Sequence, residues 1–317
     1  MNARIYSMDI ITLITITIVS LLVVICVYPR RCPRLKDRTK LYRAVEECEP
    51  ILILPAKYVD GKIVIFMYGN NQEYPLYVDT GSEHILIPNS LPWVTEHNDM
   101  KRKRDVTFIG GKTETAQFIN AKIDIGKFVK KLVVGLIVDV HGGTHSHDSI
   151  GTLGLCPTEG DNDSILAKLS ISEIHIELRE TPGVSFVLHN HECAPYGKIV
   201  FQAALVRYYD MYDFEQRQRP PNYFMIICAD SFGRSMSLII DTGSPYTMLP
   251  NMTNQTTSYV IKNENHAFTI PRESVRSMPA NLIPPYRSSD IGILGLDALG
   301  GYHTCISLKK NMFTIWQ

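Results

Sequence analysis

The chain has 317 residues, 45% apolar and 20% charged, and its 32 Lys+Arg balance 32 Asp+Glu to give a formal net charge of zero. This is the composition of a folded chain with a sizeable core, and it excludes disorder, collagen and coiled coil. Without a basic surplus to neutralise phosphates it also excludes a polyanion binder, so nucleic acid is not an expected partner.

Residues 1–9 are a short tail. Residues 10–28, IITLITITIVSLLVVICVY, hold no charge over 19 positions, which at about 1.5 Å per helical residue nearly matches a bilayer core of roughly 30 Å. This predicts a single-pass transmembrane or signal-anchor helix. A cleaved signal peptide has a shorter apolar stretch, about 7–15 residues, ending in small residues, whereas this one ends Cys26-Val27-Tyr28-Pro29. Residues 29–50 come next as a basic linker or short pro-segment. Arg30, Arg31, Arg34, Lys36, Arg38 and Lys40 lie after the span and only Arg4 before it, which on the positive-inside rule places the bulk of the chain in the cytosol. Sequons at Asn162, Asn251 and Asn254 suit the opposite side.

From Ile51 onward short apolar and β-branched runs alternate with Gly, Pro, Asn and Asp. Strands are predicted at Lys62–Tyr68, Tyr74–Val78, Ile85–Ile87, Leu132–Val140, Val184–Leu188, Lys198–Phe201, Tyr223–Cys228 and Leu238–Ile240. Ser164–Leu169 is the best short helix. The fold class is therefore mainly β.

An internal repeat then divides the chain. Tyr77-Val78-Asp79-Thr80-Gly81-Ser82 leads to Ile85-Leu86-Ile87-Pro88, and Ile239-Ile240-Asp241-Thr242-Gly243-Ser244 leads to Thr247-Met248-Leu249-Pro250. Two chance copies of one tetrapeptide in such a chain have a probability on the order of 10⁻⁵. A second pair accompanies the first: Ile150-Gly151-Thr152-Leu153-Gly154-Leu155 and Ile291-Gly292-Ile293-Leu294-Gly295-Leu296.

An Asp at the end of an apolar strand, followed by a Gly that lets the backbone turn, presents a carboxylate on a tight loop. Two such loops can bring Asp79 and Asp241 face to face, where they cannot both ionise easily and share a proton. The ionised member takes a proton from water while the protonated one hydrogen-bonds the scissile carbonyl, so an amide is hydrolysed without metal or cofactor. Thr80 and Thr242 are expected to lock the two loops together. Gly81 and Gly243 are expected to offer N–H donors, and Ser82 and Ser244 to donate to the outer carboxylate oxygens.

On these residues the chain resembles the pepsin-like aspartic peptidases over roughly 52–317. The resemblance implies a bilobal acid-protease fold with pseudo-twofold symmetry, an N-terminal catalytic lobe at 51–190 and a C-terminal lobe at 191–317, preceded by the transmembrane helix. It implies an aspartic endopeptidase acting on polypeptides, monomeric as a catalytic unit, with its domain luminal or extracellular; the uncharged stretch 10–28 would tether it to a membrane. Thr152-Leu153-Gly154 and Ile293-Leu294-Gly295 resemble the strands behind the catalytic loops. Gly301–Ser307 and Phe313–Trp316 resemble the closing strands, and Val184–Leu188 with Gly197–Phe201 resembles a hairpin between lobes. A luminal domain would further pair Cys156 with Cys193, Cys228 with Cys305 and Cys32 with Cys48.

The departures are specific. By register the flap is Val106–Lys112, with Phe108 where the family usually carries Tyr, followed by Gly110 and Gly111. Leu86 stands where a Trp often pairs with that Tyr, and Leu296 where an acid often follows the second Leu-Gly. These differences keep open a catalytically weak or inactive peptide-binding module. The clusters His141/His145/His147 and His189/His191/Cys193 have metal-like spacing but are expected in solvated loops, and Lys101–Arg104 in a charged loop.

Overall fold

The computed structural model describes residues 52–69, 72–88, 98–107, 113–125, 128–141, 150–156, 165–178, 184–193, 197–206, 223–250, 258–277 and 290–317. The apolar stretch 10–28, the linker 29–50, Phe108, Gly110, Gly111, His145, His147 and the three sequon asparagines lie outside them. The chain divides into Met1–Glu47 and Cys48–Gln317, and every described residue belongs to the second unit. Among the described residues no helix is long and apolar enough to cross a membrane.

β1 (Leu52–Val59) turns into β2 (Lys62–Gly69) through Asp60-Gly61, whose φ angles of +51° and +77° suit a two-residue hairpin. β3 (Gln72–Asp79) pairs antiparallel with β2, so Asp79 closes a strand whose Leu76 and Val78 are fully buried. β4 (Ile85–Pro88), β5 (Asn98–Thr107), β6 (Thr113–Ile125), β7 (Phe128–His141) and β8 (Gly151–Gly154) complete the first half. β8 runs parallel to β3, with Gly154 opposite Asp79, and antiparallel to β4, which runs parallel to β7. Completely buried side chains such as Ile63, Ile65 and Leu76 each contribute about 1.5–3 kcal/mol of apolar transfer free energy.

A single-turn helix, α1 (Ile165–Lys168), precedes β9 (Glu173–Leu178), β10 (Val184–His189) and β11 (Ile199–Val206). The second half holds β12 (Met225–Ala229), β13 (Ser235–Ile240), β14 (Thr247–Leu249), β15 (Tyr259–Lys262), β16 (Ala267–Ile270), β17 (Val275–Ser277) and β18 (Ile291–Leu294). It closes with α2 (Leu296–Leu299), β19 (His303–Ser307) and β20 (Met312–Trp316). Here β13 runs parallel to β18, β14 antiparallel to β18, and β14 parallel to β17. This is the pairing scheme of β3, β8, β4 and β7 repeated.

The two halves share a third sheet of six antiparallel strands in the order β1, β10, β9, β19, β20, β11. Its midpoint is the pair β9 and β19, with His175 opposite Cys305. β1 leaves this sheet to join β2, and β11 leaves it at the other edge to join β12, so the outer strands obey the same symmetry. Alternation then buries Ile174, Ile176, Phe186, Ile306, Phe313 and Ile315 in the main apolar core.

All eight predicted strands fall on observed ones, and the predicted helix contains α1. Three expectations are corrected. Val184–Leu188 and Gly197–Phe201 do not form a hairpin, because β10 pairs with β1 and β9 while β11 pairs with β20 and β12; the chain crosses the shared sheet between them. Lys101–Arg104 lies within β5 rather than in a loop, with Lys103 and Arg104 exposed and the Arg104 guanidinium 5.7 Å from the Phe118 ring centroid. Cys193 is disulfide-bonded to a partner outside the described residues. Cys156, Cys228 and Cys305 are thiols, which rules out both expected pairings inside the lobes.

Candidate active site

Asp79 ends β3 and Asp241 comes directly after β13, so each carboxylate sits where a buried strand gives way to Thr-Gly-Ser. The strands behind them hold both loops in place. Leu155 N–H donates to Asp79 O at 2.9 Å and Gly154 N–H to His84 O at 3.0 Å; Asp241 N–H donates to Leu294 O at 3.1 Å and Leu296 N–H to Ser244 O at 3.0 Å. A Cβ at Gly154 would lie 2.4 Å from His84 O and one at Gly295 2.2 Å from Tyr246 O. The Leu-Gly ending of each strand is therefore a steric requirement of the loop it supports.

The two loops bind each other through their threonines, both fully buried. Thr80 Oγ1 donates to Ile240 O at 2.7 Å and accepts from Thr242 N–H at 3.0 Å; Thr242 Oγ1 donates to Val78 O at 2.8 Å and accepts from Thr80 N–H at 3.0 Å. Gly81 N–H donates to Asp79 Oδ1 and Gly243 N–H to Asp241 Oδ1, each at 2.8 Å. Each carboxylate also lies over the glycine of the opposite loop. A Cβ at Gly81 would stand 2.8 Å from Asp241 Oδ1, and one at Gly243 2.6 Å from Asp79 Cγ.

Asp79 and Asp241 are only 8% and 6% exposed and hydrogen-bond each other. Burial pushes the Asp79 carboxyl well above the usual carboxylate range, and the neighbouring Asp241 charge raises it further. Asp241 is also raised, again chiefly by burial, while its hydrogen bond with Asp79 and the N–H of Gly243 hold it back. The Lys62 ammonium, 4.6 Å above the Tyr77 ring, pulls both carboxyls down. Two neighbouring carboxyls that both bind protons more tightly than usual are suited to hold one proton between them.

Asp79, Thr80 and Gly81 thus meet Asp241, Thr242 and Gly243, and one expectation is corrected. Ser244 Oγ donates to Tyr246 O at 2.8 Å, so this hydroxyl tightens its own turn and is not aimed at a carboxylate oxygen. Of the expected flap, β5 and β6 supply the paired flanks up to Thr107 opposite Thr113; Phe108, Gly110 and Gly111 lie outside the described residues. Leu86 is fully buried beside Ala116 and Phe118, filling with apolar contact the position where an indole was expected from the resemblance. Leu296 is buried in α2, and Asp297 accepts from the Tyr58 hydroxyl at 3.1 Å. Burial and the Asp297 charge push that phenol up to about 12.

Sequence reasoning missed Lys62 and the β1–β2 turn, which packs on the second loop: a Cβ at Gly61 would stand 2.7 Å from Pro245 Cβ. The Asp60-Gly61 dipeptide between apolar runs was the available signal. His141 is exposed beside Asp139, at the end of β7 rather than in a loop, whereas His189 is buried at the end of β10 on the sheet face opposite Phe186 and Leu188, beside His175.

No family model matches the sequence, and no curated protein matches it. The fold is similar to that of the aspartic proteinase from Irpex lacteus, with a TM-score of 0.63 at 14% identity over 84% of this chain and 96% of that one. At that identity the likeness establishes a pepsin-like fold.

Proposed function

We propose that the chain is an aspartic endopeptidase in which Asp79 and Asp241 together activate a water for peptide hydrolysis. The observation that carries this reading is the pair itself: two buried carboxyls in mutual hydrogen bond, each held by its own glycine N–H and both fixed by reciprocal threonine bonds. A module that only bound peptide would gain nothing from the desolvation cost of two adjacent carboxylates. With one proton on the pair, the protonated member donates a hydrogen bond to the substrate carbonyl. The ionised member accepts a proton from the attacking water, and the tetrahedral adduct collapses as the leaving amine is protonated.

The catalytic unit functions as a monomer, since both halves of the site come from one chain. Residues 10–28 tether it to a membrane, with the catalytic domain luminal or extracellular; the uncharged span and the disulfide at Cys193 support this placement. Hydrolysis of a quenched peptide library across pH, with a statine-type inhibitor as control, tests the activity. Inhibitor-sensitive cleavage lost in Asp79→Asn and in Asp241→Asn is the expected result. Peptide binding without cleavage, unchanged by either substitution, would replace it with the binding-module reading that the buried Leu86 favours. Glycosidase sensitivity that vanishes when Asn162, Asn251 and Asn254 are replaced tests the side of the membrane; complete digestion of the domain from the cytosolic face would overturn it.

A further inference from the structure

The shared six-stranded sheet has one apolar face and one that is polar yet buried. On the second face, at its midpoint, Glu173 and His175 of β9 meet His303 and Cys305 of β19, all at most 5% exposed. His175 Nε2 lies 2.9 Å from Glu173 Oε2, and His175 Nδ1 lies 2.9 Å from His303 Nε2. The imidazole is walled by the Trp316 ring, stacked at 6.1 Å with an interplanar angle of 6°, and by His189 edge-on at 4.8 Å. Glu173 Oε2 is further fixed by Cys193 N–H at 2.9 Å. The proposed peptidase chemistry uses none of these groups.

We infer that Glu173, His175 and Cys305 form a buried binding site for a divalent transition metal of the zinc type, joining the two halves of the molecule across their symmetry axis. Their ligand atoms all lie within 4.8 Å of one another. Tetrahedral zinc with bonds of about 2.0–2.3 Å sets its ligands roughly 3.5 Å apart, so the widest separation has about 1 Å to close while the 2.9 Å contact between His175 Nε2 and Glu173 Oε2 opens by about half as much. The donors are a carboxylate, an imidazole and a thiol, the set that zinc accepts and that calcium or magnesium does not. His303 holds His175 Nδ1 in the manner of an outer partner that fixes a ligating ring, leaving Nε2 for the metal. Three protein ligands leave the fourth position to water or a further side chain. On binding, the Cys305 Sγ–H proton is released to solvent as the metal–sulfur bond forms, and His175 gives up its Nε2 bond to Glu173 and keeps its one ring proton on Nδ1, donating to His303 Nε2. A second set, His175, His189 and Cys193, is as close, but the disulfide leaves Cys193 no thiolate to offer.

Burial of this depth is that of a structural site loaded as the chain folds. Glu173 and His175 come from the strand before the crossover and Cys305 from the strand after it, so a bound ion crosslinks β9 to β19.

The test is a cobalt(II) titration of the chelator-treated full chain, refolded from urea at each cobalt concentration and monitored by absorbance. One equivalent per chain is expected, with a thiolate-to-cobalt charge-transfer band and intense visible ligand-field bands. Cys305→Ser, or Cys305→Ala should Ser not fold, removes the charge-transfer band, whereas Cys228→Ser keeps it. Zinc should displace the cobalt and raise Tm in the native chain but not in the Cys305 variant, and His303→Gln should weaken affinity by about 10–100-fold. Asp79→Asn should bind cobalt like the native chain, which separates this site from the proposed catalysis. Absence of the charge-transfer band in folded native protein, or its persistence without Cys305, would overturn the assignment.

Discussion

Replacing Thr80 by Val exchanges a hydroxyl for a methyl of nearly the same volume and removes two buried hydrogen bonds, to Ile240 O at 2.7 Å and from Thr242 N–H at 3.0 Å. A buried backbone group left unsatisfied costs about 1–3 kcal/mol, so the substitution, which leaves two, should destabilise by about 2–6 kcal/mol. That is a large share of the roughly 5–15 kcal/mol that holds a domain folded. Thr80→Ser keeps the oxygen and loses one methyl, for about 1 kcal/mol. Urea unfolding measures both, and the midpoint should move while the m-value stays fixed. Because Thr242 repeats the same arrangement in the opposite direction, Thr242→Val should cost a similar amount. The double variant should cost less than the sum, since loops already parted admit water to the remaining groups. A loss below about 0.5 kcal/mol for Thr80→Val, the size of an ordinary surface change, would refute the claim that this lock joins the loops.

The same geometry sets further outcomes. Asp79→Asn and Asp241→Asn should each reduce peptide cleavage by orders of magnitude. The native carboxyls bind protons more tightly folded than unfolded, so native stability falls as pH rises through the folded values; each Asn variant should therefore gain on the native chain in urea melts as pH rises, and not at low pH. Lys62→Met removes a charge that pulls both carboxyls down, so both limbs of the bell-shaped pH–rate profile should move to higher pH. Gly243→Ala puts a methyl 2.6 Å from Asp79 Cγ and should cost about 1–3 kcal/mol by overpacking, with cleavage lost because the carboxyls are forced apart. Non-reducing peptide mapping should find Cys193 crosslinked, and Cys156, Cys228 and Cys305 alkylated only after unfolding.

The strands were legible where both faces are buried, as at Ile85–Pro88 and over Ile63, Val64 and Ile65, because continuous apolar runs mark them. Those passed over, such as β5 and β6, lack a continuous apolar run: β5 exposes Lys103, Arg104 and Asp105 in succession, and β6 sets Thr115, Gln117 and Asn120 among the buried Ala116, Phe118 and Ile119. Their pattern of Lys, Arg, Glu and Gln resembles a loop until a partner strand is known. Disulfide pairing was illegible for a related reason: seven cysteines fix no connectivity without the distances between them.

The sequence by itself determined the repeat, and with it the two Asp-Thr-Gly-Ser loops and the two Leu-Gly strands, because each half carries the residues its own turn requires. The repeat also led to the expectation of a threonine lock, whose bonds run between residues separated by 162 positions. Only the tertiary structure decided what else meets around the site and between the halves: Lys62 acts on the carboxyls from a neighbouring strand. His175 and Cys305 meet at the midpoint of a sheet to which both halves contribute. Such contacts have no local signature, since they depend on how two strongly patterned halves pack against each other and not on any spacing within either.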